Sequence, residues 1–263
     1  MAGQIVDNYQ SKARQDYASK SREANKMLRV GRYLEDADKE PLIWENIFDN
    51  LGLGSALSGA KILDVGCGCG NFTDNMILLA QEKSLALTLV DFPEVMDALR
   101  SQYSQAELGS DISLIAGAFP DGLDADFLSG QRFDYILMYN MIQCSGQPVE
   151  LIRAAARLLA PYGCLFVGDV PNVNRKGRFL ASAKGRVFDA AYKKLTLEQL
   201  PVYTSHEDFV TQCQVGNTSV NDGLVVTVFT EFRKAGYDVF VLPQPMAFPF
   251  SFTREDILIR RYD

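Results

Sequence analysis

The segment Lys61-Ile-Leu-Asp-Val-Gly-Cys-Gly-Cys-Gly-Asn71 constrains this chain more than any other. A short apolar run carries an aspartate, Asp64, two residues before the first of three glycines in G-x-G-x-G spacing: Gly66, Gly68 and Gly70. A helical pattern, FTDNMILLAQ, follows, and Asn71 is expected to cap it. A strand that feeds a glycine loop into a helix turns backbone N–H groups toward a ligand, with no Cβ between them. The spacing departs from the G-x-G-x-x-G of dinucleotide sites. Asp64, at the carboxyl end of the strand, can receive a ligand ammonium group, which a pyrophosphate cofactor lacks. Asp91 closes the next apolar run 21 residues after Gly70. That is close to the ~20-residue offset at which an acid meets ribose hydroxyls in nucleotide-binding α/β folds.

Strand and helix signals alternate around this loop. Strands are expected at Lys61–Val65, Leu85–Val90, Ile112–Ala116, Phe133–Tyr139 and Cys164–Val167. Between them lie a helix begun by Pro93 and another at Val149–Leu159, closed by Pro161 and Gly163. Repeated β-α-β units of this length imply a parallel sheet covered by helices on both faces. The last two strands, Tyr237–Leu242 and Phe252–Tyr262, are joined by too short a segment for a crossover, so they should pair antiparallel. Residues 1–60 read as a helical extension, with helices at Ser21–Tyr33 and from Pro41 to a stop at Gly52 and Gly54. Residues 61–263 read as the core, with a polar helical insertion at about 172–222.

The stretch LDVGCGCGNF resembles motif I of the class I S-adenosylmethionine-dependent methyltransferases, (D/E)-x-G-x-G-x-G. The similarity runs from about Lys61 to Asp169, through FDYILMYNMIQC and RAAARLLAPYGCLFVGDV. It implies a Rossmann-like, doubly wound, mostly parallel seven-stranded sheet with an antiparallel last strand, and S-adenosyl-L-methionine as cofactor. By this resemblance Asp64 would hold the methionine ammonium, with Gly66, Cys67, Gly68 and Gly70 around the cofactor. Asp91 would take the ribose hydroxyls and Phe92 would border the adenine. Ala118 stands where relatives often carry an acid, leaving Phe119 and backbone groups for the adenine. Asn140 and Met141 would pass beside the cofactor, and Gln143 stands where many relatives have a histidine. Arg29, Arg32 and Tyr33 are candidates to close the pocket or hold the cofactor carboxylate.

Methyl transfer needs alignment first, and a base only where the acceptor must lose a proton. Asp169, at the end of the fifth strand, is the candidate base, or else a loop aspartate bonded to backbone. His206, the single histidine, is the second candidate; it also reads as an exposed residue of a helix start. Phe248, Phe250 and Phe252 could line an acceptor pocket or pack a hairpin, whereas Trp44, Ile47 and Phe48 read as core.

The acceptor is expected to be a small molecule methylated on oxygen or nitrogen. Tyr139-Asn140-Met141-Ile142 is not the N-P-P-(Y/F) of amino-methylating nucleic-acid enzymes, and Cys144 lacks the proline that precedes a cytosine-attacking cysteine. Net charge is −7 with scattered lysines and arginines, which disfavours nucleic acid. The Arg175-Lys176-Gly177-Arg178 cluster keeps an RNA-directed enzyme as an alternative, and a non-catalytic cofactor-binding subunit is the other. No metal site is expected, since C-x-C at Cys67 and Cys69 lacks a second ligand pair. Cys67, Cys69, Cys144, Cys164 and Cys213 read as buried reduced thiols. No apolar run suits a membrane span or a secretory signal, so a cytoplasmic location is expected. A homodimer is left open.

Overall fold

The computed structural model describes the backbone of residues 2–124, 129–203, 208–209 and 217–263, with side chains from Gln10 onward. Its strands are Lys61–Val65 (β1), Ala86–Asp91 (β2), Ile112–Ala116 (β3), Phe133–Tyr139 (β4), Leu159–Pro171 (β5), Asp238–Pro243 (β6) and Arg254–Arg260 (β7). They form one sheet in the order β3-β2-β1-β4-β5-β7-β6. β1 pairs in parallel with β2 and β4, β2 with β3, and β4 with β5. β7 lies antiparallel between β5 and β6, as the short connection before it requires.

Alternate residues of the central strands feed two cores. Leu63, Val65, Ile136, Met138, Leu165 and Val167 face one side. Ile62, Leu137 and Phe166 face the other, with Leu258 of β7. This period of two explains why β4 is apolar almost throughout: both of its faces are covered.

The polar N-terminus, within the stretch read as helical, is a long helix, Ala2–Lys20 (α1). Several local expectations are corrected. Ser21–Tyr33 is not one helix, because Asn25 starts a new short one, Lys26–Arg29 (α2), by accepting the Met27 N–H, and Gly31 then takes φ 73°. Glu40–Leu51 (α3) has proline in its first turn and ends at left-handed Gly52, as expected. Asn71 does not cap the helix Asn71–Lys83 (α4). Gly70 occupies that position, and the Asn71 amide instead donates to Glu40 at 2.5 Å. Pro93–Gln102 (α5) is as expected; Gln105–Leu108 (α6) is a further short turn. The helix Pro148–Ala156 (α7) ends before Pro161, which falls inside β5 where the pairing with β4 shifts. Tyr162 there takes φ 63°.

Between β5 and the helix Asp222–Lys234 (α10), the described residues form helices Val173–Ala181 (α8) and Ala183–Lys193 (α9) and no strand. Asn172 caps α8 and Ser182 caps α9. The two helices cross closely at Gly185, where a Cβ would lie 1.8 Å from the Phe179 carbonyl.

Candidate active site

The loop after β1 is held by its own backbone and by one acid. Gly66 N–H donates to the Val90 carbonyl at 2.8 Å, and Thr73 Oγ1 donates to the Cys67 carbonyl at 2.7 Å. Asp91, at the end of β2, accepts the Gly68 N–H at 2.8 Å and the Phe92 N–H at 2.7 Å. Gly66 and Gly68 take φ 71° and 67°, the left-handed region that glycine enters without penalty.

Asp64 is 4% exposed, and none of the described hydrogen bonds engages its carboxylate. Burial, and then the charge of Asp91, push its pKa up to about 8. Burial also pushes Asp91 up to about 6, opposed by the N–H groups of Gly68 and Phe92. Two neighbouring carboxyls without a cation between them suit a ligand that carries positive charge. A sulfonium nucleoside with an ammonium group has that chemistry; a pyrophosphate has the opposite.

Every residue assigned to the cofactor from the sequence lines a single crevice: Asp64, Gly66, Cys67, Gly68, Gly70, Asp91, Phe92, Ala118, Phe119, Asn140 and Met141. The N-terminal segment adds Gln10, Tyr17, Val30 and Arg32. Of these only Arg32 was picked out beforehand. It lies over the Phe72 ring, 3.6 Å from its centroid, and pairs with Glu40 at 2.8 Å. Arg29 turns elsewhere, donating to Gln102 and to the Glu23 carbonyl. A Cβ on Gly68 would stand 2.8 Å from Val30 Cγ1, and one on Gly70 would stand 2.9 Å from it. Gly68→Val, branched and in a left-handed position, is therefore expected to displace Val30 and weaken S-adenosylhomocysteine binding by about tenfold or more. Isothermal calorimetry reads this directly; parental affinity would contradict it.

Beside the crevice lies a larger cavity of about 830 Å³. Tyr17, Arg32, Tyr139, Asn140 and Cys144 border both spaces. Asp169 is on the cavity wall but engaged on both oxygens: Gln244 donates to Oδ1 at 3.2 Å, and Arg254 of β7 ion-pairs with Oδ2. Arg254 also donates to Asn140 Oδ1 at 3.2 Å, and Gln143 donates to the same oxygen at 2.8 Å. Asn140 and Asp169 take φ 53° and 60°, a conformation non-glycine residues adopt rarely. Arg254 and Gln244 carried no sequence signal, since only the fold brings them to β5. His206 and Cys213 lie outside the described residues.

Phe248 and Phe250 line the cavity, while Phe252 stacks on Phe179 of α8 at 4.9 Å. Ile47 is fully buried, and Trp44 and Phe48 pack against that same core. Cys69 and Cys164 are buried and free; Cys67 and Cys144 are half-buried and free. Burial first, and then Asp91, push the Cys144 thiol up to about 11, so it is no ready nucleophile. Within the basic cluster, Arg175 pairs with Glu255 and Arg178 with Asp222.

Residues 63–165 match the family model described as a methyltransferase domain. The chain is 28% identical over 176 residues to a ubiquinone biosynthesis O-methyltransferase of Pseudomonas putida, covering 65% of this chain and 67% of that protein. By both matches, this chain is similar to methyltransferases, its stretch 63–165 to a methyltransferase domain. Its fold is shared with a plantazolicin methyltransferase solved with S-adenosylhomocysteine, at TM-score 0.52 and 14% identity over the whole of both chains. An O-methyltransferase family protein from Burkholderia thailandensis gives TM-score 0.51 at 17% identity, over 95% of this chain and 60% of that one. Among the described residues of this chain, no helix is long and apolar enough to cross a membrane.

Proposed function

We propose that this chain is a methyltransferase acting on an oxygen or nitrogen of a small molecule held in the large cavity. The observation that carries the reading is the shared border: the crevice that holds Asp64 and Asp91 and the cavity are both lined by Tyr17, Arg32, Tyr139, Asn140 and Cys144. The bound cofactor supplies an electrophilic methyl group. Asp64 would hold its ammonium, Asp91 its ribose hydroxyls and the glycine loop its flank, with Phe92, Ala118 and Phe119 beside the adenine. Asn140 and Met141 would pass beside the cofactor, and Asn140 also lines the cavity. The helix α1 and the segment through Tyr33 act as the lid, and α8 with α9 as the cap over the acceptor.

Asp169 enters this reading as the group that fixes Arg254 and Asn140 at the cavity wall. Both its oxygens already accept hydrogen bonds, from Gln244 and Arg254, which suits a positioning group. His206 stays the second candidate base read from its sequence position, needed only where the acceptor does not reach the site already ionised. The paired Arg175 and Arg178 weigh against an RNA-directed enzyme, because phosphates would have to compete with Glu255 and Asp222. A cytoplasmic site of action agrees with the acceptor class.

Incubation with methyl-labelled cofactor and a panel of phenols, carboxylic acids and amines tests the reading, with total RNA as comparison. Label is expected in at least one small acceptor and not in RNA. Transfer to RNA alone, or no transfer by protein that binds S-adenosylhomocysteine, would overturn it.

A further inference from the structure

The cavity wall is aromatic beyond what packing requires. Tyr33 and Tyr192 are each 48% exposed although they line the cavity. Their hydroxyls are 3.0 Å apart and their rings lie edge to face. Phe188 is parallel to Tyr192 within 5°, and Phe250 meets Tyr192 edge-on at 6.0 Å. Ring faces left this open gain about 25 cal/mol for each Å² that a ligand covers, and a planar ring covers most for least ordering.

The charges around the cavity show a second asymmetry. Of its carboxylates, Glu40, Asp169 and Asp189 are engaged by Arg32, Arg254 and Lys193, whereas Asp16 and Asp36 line the wall without an ion pair among the described residues. Lys20, at the end of α1, is half-buried and has no carboxylate within ion-pair distance among the described residues. Its ammonium lies over the Tyr17 ring, 5.1 Å from the centroid. It also acts on the charge state of Cys144. Tyr17 and Cys144 both border crevice and cavity, so Lys20 stands where the two spaces meet. Lys12 and Lys176, also on the wall, are exposed. The groups that set the field at the junction are Asp16 and Tyr17 on α1, Arg32, Arg254 of β7, Cys144 and Asp91.

We infer, resting on the small-molecule reading above, that the acceptor is an aromatic ring bearing a hydroxyl, stacked in this wall and held at Lys20 as its anion. The hydroxyl proton passes to solvent and the oxygen keeps the electron pair. A cation within about 4–6 Å favours the charged form of such a group, by about one to three pH units. Lys20 thereby does what a free base would otherwise do.

The test uses the full chain saturated with S-adenosylhomocysteine, whose neutral thioether contributes no sulfonium charge, and para-nitrophenol as probe. Absorbance of the ionised probe across pH gives its bound pKa, which is expected about one unit or more below that of the free phenol. Lys20→Met should abolish the shift and Lys20→Arg should retain it, both with unchanged S-adenosylhomocysteine affinity. Absence of probe binding, or a shift that survives in Lys20→Met, would overturn the inference. Failure to bind S-adenosylhomocysteine would strike the cofactor assignment beneath it instead.

Discussion

Asp64→Ala is expected to bind S-adenosylhomocysteine about a hundredfold more weakly than the parent chain. A hydrogen bond between charged groups contributes about 1.5–3 kcal/mol, and the larger figure suits a carboxylate that is 4% exposed. About 3 kcal/mol corresponds to about a hundredfold in affinity. The same substitution should not harm the empty protein. Burial pushes Asp64 up to about 8 in the fold, against about 3.9 for an exposed aspartate, so its contribution to stability is fully present below about pH 4. It is lost as pH rises through about 8. Asp64→Ala should therefore flatten the decline in stability of the ligand-free protein across that window. Thermal unfolding with and without ligand measures both effects. Parental affinity, or a variant unfolded when empty, would contradict the assignment.

Phe166→Ala is expected to remove about 3–5 kcal/mol of stability. Phe166 is wholly buried in β5, on the sheet face that packs Leu137, Leu258 and Ile62, and neighbouring strands cannot close the cavity its loss would leave. Against a typical total of about 5–15 kcal/mol, that is a large share. The urea midpoint should fall with little change in slope. A loss below about 1 kcal/mol would mean that the two faces of the sheet are not packed as described.

The parts legible in the sequence were those whose physics is local. β1, β3 and β4 lie at the residues expected because a strand covered on both faces must be apolar nearly throughout. The glycine loop was legible because its backbone turn excludes other residues. The antiparallel end of the sheet followed from chain length alone. Residues 1–60 read as helical, but the extent and docking of α1 were not legible: it is polar, and its attachment rests on a few contacts, such as Arg14 donating to Glu94 of α5 at 2.7 Å. Val30 and Lys20 gained their roles from how the N-terminal segment crosses the crevice. Asp169 was picked out by its place at a strand end, but its partner Arg254 is 85 residues away. No spacing rule connects them.

The account rests on a buried carboxyl that must ionise to hold a cationic ligand, and the affinity of S-adenosylhomocysteine as a function of pH tests that most directly. Asp64 titrates at about 8 and Asp91 at about 6 when the crevice is empty. Calorimetry should thus show affinity rising toward tenfold per unit between about pH 6 and pH 8, with close to one proton released per ligand bound. A flat profile with no proton release would contradict the claim that Asp64 holds the ligand's ammonium.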